Sequence, residues 1–128
     1  MTLTPSKSRE TPAAGHRLSI RVDLASGARI GPGKVALLEE IGRSGSISAA
    51  GRALRMSYRR AWELVEDLNR HLGITVVATA AGGSGGGGAR LTEAGQAIVS
   101  GYRALEAAAS ETAQSHLAAL ERACGRGG

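Results

Sequence analysis

Four consecutive residues, Ser57, Tyr58, Arg59 and Arg60, open a segment whose apolar positions recur with helical spacing: Ala61, Leu64, Val65, Leu68 and Leu72. Arg59 and Arg60 fall off that apolar face, so the start of the helix offers two guanidinium groups to whatever lies against it. A guanidinium can grip guanine with two parallel hydrogen bonds or neutralise a phosphate, and the hydroxyls of Ser57 and Tyr58 can donate to phosphate oxygens. On helix pattern alone, the same arginines also read as solvated surface charge.

Their surroundings favour a polyanion. Between Arg43 and Arg70 lie six arginines against three acids, Glu63, Glu66 and Asp67. The whole chain of 128 residues carries a formal net charge of +5. A basic surface attracts nucleic acid, the commonest polyanion of a cytoplasm. Many soluble proteins are simply basic, so the placement of the charge says more than its sum.

No catalytic or metal-binding set accompanies these residues. His16, His71 and His116 lie in separate segments, Glu39 and Glu40 fall on a helix surface, and Cys124 stands alone in a Gly-rich tail. The expectation is a protein that is not an enzyme, with no catalytic residue, no metal and no cofactor. The glycine run Gly82-Gly83-Ser84-Gly85-Gly86-Gly87-Gly88 is followed by Ala89, Arg90 and Leu91. A phosphate-binding Walker loop needs Lys and then Ser or Thr at that point. Trp62, four residues after Tyr58, reads as a packing residue.

Positioning these groups requires a scaffold, and punctuation along the chain supplies one. Leu18 to Leu24 alternates apolar and polar residues and predicts a half-buried strand, with Ser26-Gly27 as a turn after it. Pro32 suits a first helical turn. Val35, Leu37, Leu38 and Ile41 then mark a helix that closes at Ser44-Gly45. Ser46 can cap a second, short helix whose face of Ile47, Ala50, Gly51 and Leu54 is small enough for a neighbour to approach closely. Arg55-Met56 connects it to the helix capped by Ser57, which ends at Gly73. Two helices joined this way have the layout of a helix-turn-helix, with the second as the reading helix. Ser44 and Ser46 could then present groups to a phosphate. Ile74 to Thr79 predicts a strand, and a hairpin over the glycines returns to Arg90 at its base, forming a wing that lies against DNA.

From Thr92, which can cap it, a last helix runs to about Arg122, roughly 45 Å at 1.5 Å per residue. Its stripe of Ile98, Tyr102, Leu105, Ala109, Leu117 and Leu120 predicts a partner helix and hence a homodimer; the same stripe would also serve a helix folded back on its own domain. Residues 1–16, polar and lacking the apolar stretch of a secretory signal, read as a disordered leader. The remainder divides into a DNA-binding domain over 17–91, a long dimerisation helix over 92–123 and a flexible tail over 124–128. The fold class is mainly α with a small β component: a winged helix-turn-helix with a long C-terminal dimerisation helix. No segment approaches the apolar length of a membrane span, so a cytoplasmic protein with no membrane partner is expected.

The stretches "SGSISAAGRALRMSYRRAWELVEDLN" and "GGSGGGGARLTEAG", with the spacing between them, resemble the N-terminal domain of ModE-type molybdate-responsive regulators, relatives of the LysR-type winged helix. The resemblance runs from Leu18 to about Leu105. It implies a dimer assembled through the first strand and last helix, a third helix that reads a dyad-symmetric operator, and a link to molybdenum homeostasis. Regulators of that kind carry a C-terminal oxyanion-binding module. The chain ends at Gly128 without room for one, so the resemblance does not carry direct molybdate binding over to it. The leading expectation is a sequence-specific regulator that binds double-stranded DNA, with Ser57, Tyr58, Arg59 and Arg60 in the groove and Ser44, Ser46 and Arg90 on the backbone. A protein-interaction module using the long helix and a small oxyanion-binding protein are the alternatives.

Overall fold

A computed structural model describes residues 17–83 and 86–125. The leader expected over 1–16, the glycine-loop tip at 84–85 and the end of the tail lie outside the described residues. The elements run β1 Val22–Asp23, β2 Arg29–Ile30, α1 Pro32–Ser44, α2 Ile47–Ala53, α3 Tyr58–Leu72, β3 Val77–Gly83, β4 Gly86–Leu91 and α4 Glu93–Ala123. This is a winged helix-turn-helix followed by a long C-terminal helix.

The caps form where the residue types demand them. Pro32 occupies the first turn of α1, and Gly45 closes that helix in the left-handed conformation at φ 75°. Ser46 accepts a hydrogen bond from the Ala49 N–H at 3.0 Å. Ser57 accepts one from Arg60 N–H at 3.0 Å, and Gly73, at φ 73°, ends α3. Thr92 accepts from Gly95 N–H at the start of α4.

Burial then fixes the domain. Leu37, Leu38 and Ile41 of α1, Ile47 and Ala50 of α2, Ala61, Val65 and Leu68 of α3, and Val76, Val77 and Ala89 of the wing form one apolar core. With no Phe in the chain, aliphatic side chains fill it. Gly51 permits a close approach of α2 to α3: a methyl there would stand 3.2 Å from Ala61 Cβ.

Both strands are shorter than the sequence predicts. Of the run Leu18 to Leu24, only Val22–Asp23 pairs, antiparallel with Arg29–Ile30. The Ile20 carbonyl accepts the Tyr102 hydroxyl at 2.6 Å instead of joining a ladder. The wing strand starts at Val77 and not at Ile74, which is exposed. The Asn69 side chain on α3 takes the Val76 N–H at 2.7 Å and the Val77 N–H at 3.3 Å. It thereby holds the chain to the helix before the ladder can begin.

Residues Ile20–Arg103 make one compact unit, and the helix from Ala104 onward belongs to a second, taken by itself. Within the first unit, Tyr102 is buried with Ile30 and Val35, and Ile98 packs partly against the core. These two members of the expected dimer stripe are thus engaged by their own chain. In the second unit Leu105 and Leu120 are exposed, and Ala109 and Leu117 are half-buried. Cys124 donates its N–H to the Leu120 carbonyl at 3.0 Å, continuing the helical pattern past Ala123.

Glu39, expected as a plain surface acid, pairs two-pronged with Arg103, at 2.9 Å to Nε and 2.8 Å to Nη2, tying α1 to α4. The hydrogen bonds from Arg103 hold the Glu39 carboxyl below the usual glutamate range, against the opposing effect of its partial burial. A carboxyl with a lowered folded-state pKa stabilises the protein above its unfolded pKa of about 4.3, and the contribution is lost as pH falls through the folded value. Urea unfolding of Glu39→Gln should therefore show a smaller loss of stability between pH 6 and pH 3 than the parent chain. A second constraint lies where α4 starts: a methyl on Gly95 would collide with the Val76 carbonyl oxygen. Gly95→Ala should lower the unfolding free energy by about 1–3 kcal/mol, the range for an overpacked core, in the same assay.

Candidate nucleic-acid interface

The N-terminal turn of α3 presents an ordered polar surface. Ser57 caps it, and Tyr58, Arg59 and Arg60 are all exposed. Arg60 stands 3.7 Å from Glu63, both more than half exposed, so water and salt screen that pair heavily. Arg59 makes no ion pair among the described residues. The Ser57 hydroxyl uses its lone pairs on the Arg60 N–H and keeps its proton to donate.

The turn before α3 has a feature the sequence reading missed. Arg55 adopts the left-handed conformation at φ 60°, unusual for a side chain other than glycine. Its N–H donates to the Arg52 carbonyl, and the next N–H, of Met56, donates to the Gly51 carbonyl at 2.9 Å. These bonds reverse the chain within three residues and set the direction in which α3 departs. Nothing in the residue type of Arg55 signals this; a Gly or Asn there would have done so.

Two clefts flank α3. On one side, Tyr58 and Trp62 meet the start of α2 and the wing in a cleft of about 220 Å³ lined also by Ser46, Ser48, Thr79, Gly88 and Ala89. The rings of Tyr58 and Trp62 meet edge to face, 6.2 Å apart. On the other side, Arg60 and Leu64 line a cleft of about 400 Å³ with Arg21, Arg29, Pro32, Lys34 and Met56. Positions 58 and 60 lie about 200° apart around a helix, which explains why neighbouring residues serve opposite sides. Arg21, Arg29 and Lys34 are absent from the sequence-derived set because they precede the helix-turn-helix in the chain; only the fold brings them beside Arg60. Asp23 pairs with Arg21 at 3.4 Å and Arg29 at 3.2 Å, across exposed side chains.

The wing stands beside the first cleft. Its ladder pairs Val77 with Leu91, Ala78 with Arg90 and Thr79 with Ala89. The Ala89 N–H donates to the Gly45 carbonyl at 2.9 Å, which binds the hairpin to the end of α1. Arg90 is exposed and lines a further hollow with Gly45, Ala78 and Thr79. Of the residues expected at the phosphate backbone, Ser46 and Arg90 thus border this side. Ser44 is engaged in its own turn, donating to the Glu40 carbonyl at 2.8 Å and accepting from Ser46 N–H at 3.3 Å. Trp62 packs partly on the core, as its spacing from Tyr58 suggests.

Among the described residues no group of three or more His, Cys, Asp or Glu side chains could hold a metal ion, and no helix is long and apolar enough to cross a membrane. What the surface offers is hydrogen-bond donors and cations about a helix end, an arrangement suited to an anion-bearing groove.

The chain is similar in sequence and fold to known proteins. The profile of the family described as "Bacterial regulatory helix-turn-helix protein, lysR family" matches residues 33–96. The chain is 48% identical over 90 residues to the molybdenum-pterin-binding protein MopB of Rhodobacter capsulatus, covering 70% of this chain and 33% of that protein. It is 39% identical over 90 residues to the molybdenum transport protein ModE of Azotobacter vinelandii, with 70% and 33% covered. Against the DNA-binding transcriptional dual regulator ModE of Escherichia coli (strain K12) it is 39% identical over 74 residues, covering 58% and 28%. The chain thus aligns with about a third of the length of these relatives. Among solved structures, full-length LysG of Corynebacterium glutamicum with bound effector Arg superposes with a TM-score of 0.52 at 26% identity, covering 73% of this chain and 30% of that one.

Proposed function

The chain belongs to the lysR family of bacterial regulatory helix-turn-helix proteins, and from that premise we propose that it is a sequence-specific transcriptional regulator that binds double-stranded DNA as a homodimer in the cytoplasm. The observation that carries the reading is the capped first turn of α3, which leaves Arg59 and Arg60 exposed, with a cleft lined by donors on one side and, on the other, a cleft whose cations include Arg60. A helix set into a major groove about 12 Å wide meets base edges at its tip and phosphates on both flanks. Arg59 and Arg60 read bases, Ser57 caps the turn that presents them, Tyr58 enters the groove beside them, and Ser46 and Arg90 meet the backbone. Arg21, Arg29 and Lys34 add positive charge on the far flank.

Pairing of two chains rests on the segment of α4 beyond Arg103. Leu105 and Leu120 are exposed there, 44% and 61% respectively, and Ala109 and Leu117 are half-buried on the same helix. Leucines left in water on a long helix favour an apolar partner surface. Tyr102 is buried in the chain's own core and Ile98 packs partly against it, so the exposed leucines beyond Arg103 are the ones assigned to pairing. The names of the curated relatives make genes of molybdenum handling the first operators to try.

Selection of bound sequences from random duplex DNA tests the whole reading. The expected product is a palindrome with half-site centres about 34 Å apart, one helical turn; absence of any enriched sequence would refute it. On the selected duplex, Arg60→Ala should weaken binding by about 1–3 kcal/mol and relax the preference at one base position per half-site. Unchanged affinity in a fluorescence-anisotropy titration would remove Arg60 from the groove.

A further inference from the structure

The cleft between α2, α3 and the wing is lined by no charged side chain, yet donors surround it. Ser46, Ser48, Tyr58, Trp62 and Thr79 all border it. Ser46 Oγ accepts the Ala49 N–H at 3.0 Å and Ser48 Oγ accepts Arg52 Nη1 at 3.1 Å, so each serine still has its hydroxyl proton to give. The Trp62 indole N–H is shut away from solvent and meets no acceptor among the described residues. An indole N–H can only donate, and a buried donor without an acceptor is a cost that folded proteins seldom keep.

The position of the cleft says what could relieve that cost. Tyr58 and Trp62, one turn apart, form the α3 wall on the side away from Arg60. A duplex read by the tip of α3 would bring one of its strands near this wall. We propose that the cleft is an uncharged cradle for one phosphodiester group of the bound duplex. Trp62 Nε1 supplies an inner hydrogen bond once the side chains around the indole shift to uncover it; Tyr58, 58% exposed, meets that ring edge to face and is free to move. Hydroxyls of Ser46, Ser48 and Thr79 hold the outer oxygens. The inference rests on the DNA-binding reading and adds to it a contact that carries no charge and reads no base.

An uncharged cradle has a distinct signature. Counterion release scales with the cations placed on phosphates, so losing a neutral donor lowers affinity without altering the salt slope. A contact to the backbone also weakens every sequence alike. The full chain, with Trp62→Phe and separately Thr79→Val, is titrated with the selected duplex and with an unrelated duplex of equal length across a salt series. Each variant should lose about three- to tenfold on both duplexes, with the slope of log affinity against log salt unchanged. Thr79 is exposed on the wing, so Thr79→Val keeps the test sound should Trp62→Phe fail to fold.

Trp62 is the one tryptophan of the chain, so its emission reports on the cleft directly. The emission should shift on adding duplex and stay unchanged with inorganic phosphate at matched ionic strength. Parental affinity in both variants, or an unaltered emission on saturation with duplex, would overturn the cradle. The same shift with inorganic phosphate would reassign the cleft to a free oxyanion. If the parent chain binds neither duplex, the DNA-binding reading fails together with the cradle; if it binds and the variants match it, the cradle alone fails.

Discussion

The close approach of α2 and α3 is the constraint on which the rest of this molecule depends. It occurs where Gly51 faces Ala61, with room for no more than a hydrogen at the glycine unless Ala61 gives way. The Gly51 carbonyl also accepts the Met56 N–H, so the same residue sets both the helix separation and the reversal between the helices. A bulkier residue would pry α3 from α2 and turn its first residues away from the wing. Tight packing transmits such a shift because an interior filled to crystal density has no slack to absorb it.

The wing is tied into that frame by backbone and side-chain hydrogen bonds more than by strand length. Asn69 reaches from α3 to the Val76 and Val77 amides, Ala89 donates to Gly45, and Thr92 donates both its hydroxyl and its N–H back across the wing, to Thr75 and Val76. Such bonds have directional requirements that apolar burial lacks, so they fix the hairpin's orientation as well as its stability. The glycine-rich hairpin, which packs few side chains of its own, needs that anchoring at its base.

Charge is divided around α3 in a way its net value conceals. One flank gathers Arg21, Arg29, Lys34 and Arg60, whereas the other is lined by hydroxyls, an indole and small wing residues. Cations supply long-range attraction that salt weakens, and neutral donors act only at contact, where their geometry is exacting. In the proposed complex, a duplex held between such flanks would be drawn in by one and seated by the other.

Residue types and their spacing were enough to determine the three helices, their serine and glycine caps, the wing and the long last helix, because capping and helical periodicity are local effects. Legible too was the basic first turn of α3. Local rules could not show that Val22–Asp23 is all that pairs of the first strand, that Arg55 takes a left-handed conformation, or that Tyr102 bonds to Ile20 across the domain. Nor could they place Arg21, Arg29 and Lys34 beside Arg60, or leave the Trp62 N–H without an acceptor. Those outcomes join residues far apart in the chain, and only the packing of the elements against one another decides which of their polar groups find partners.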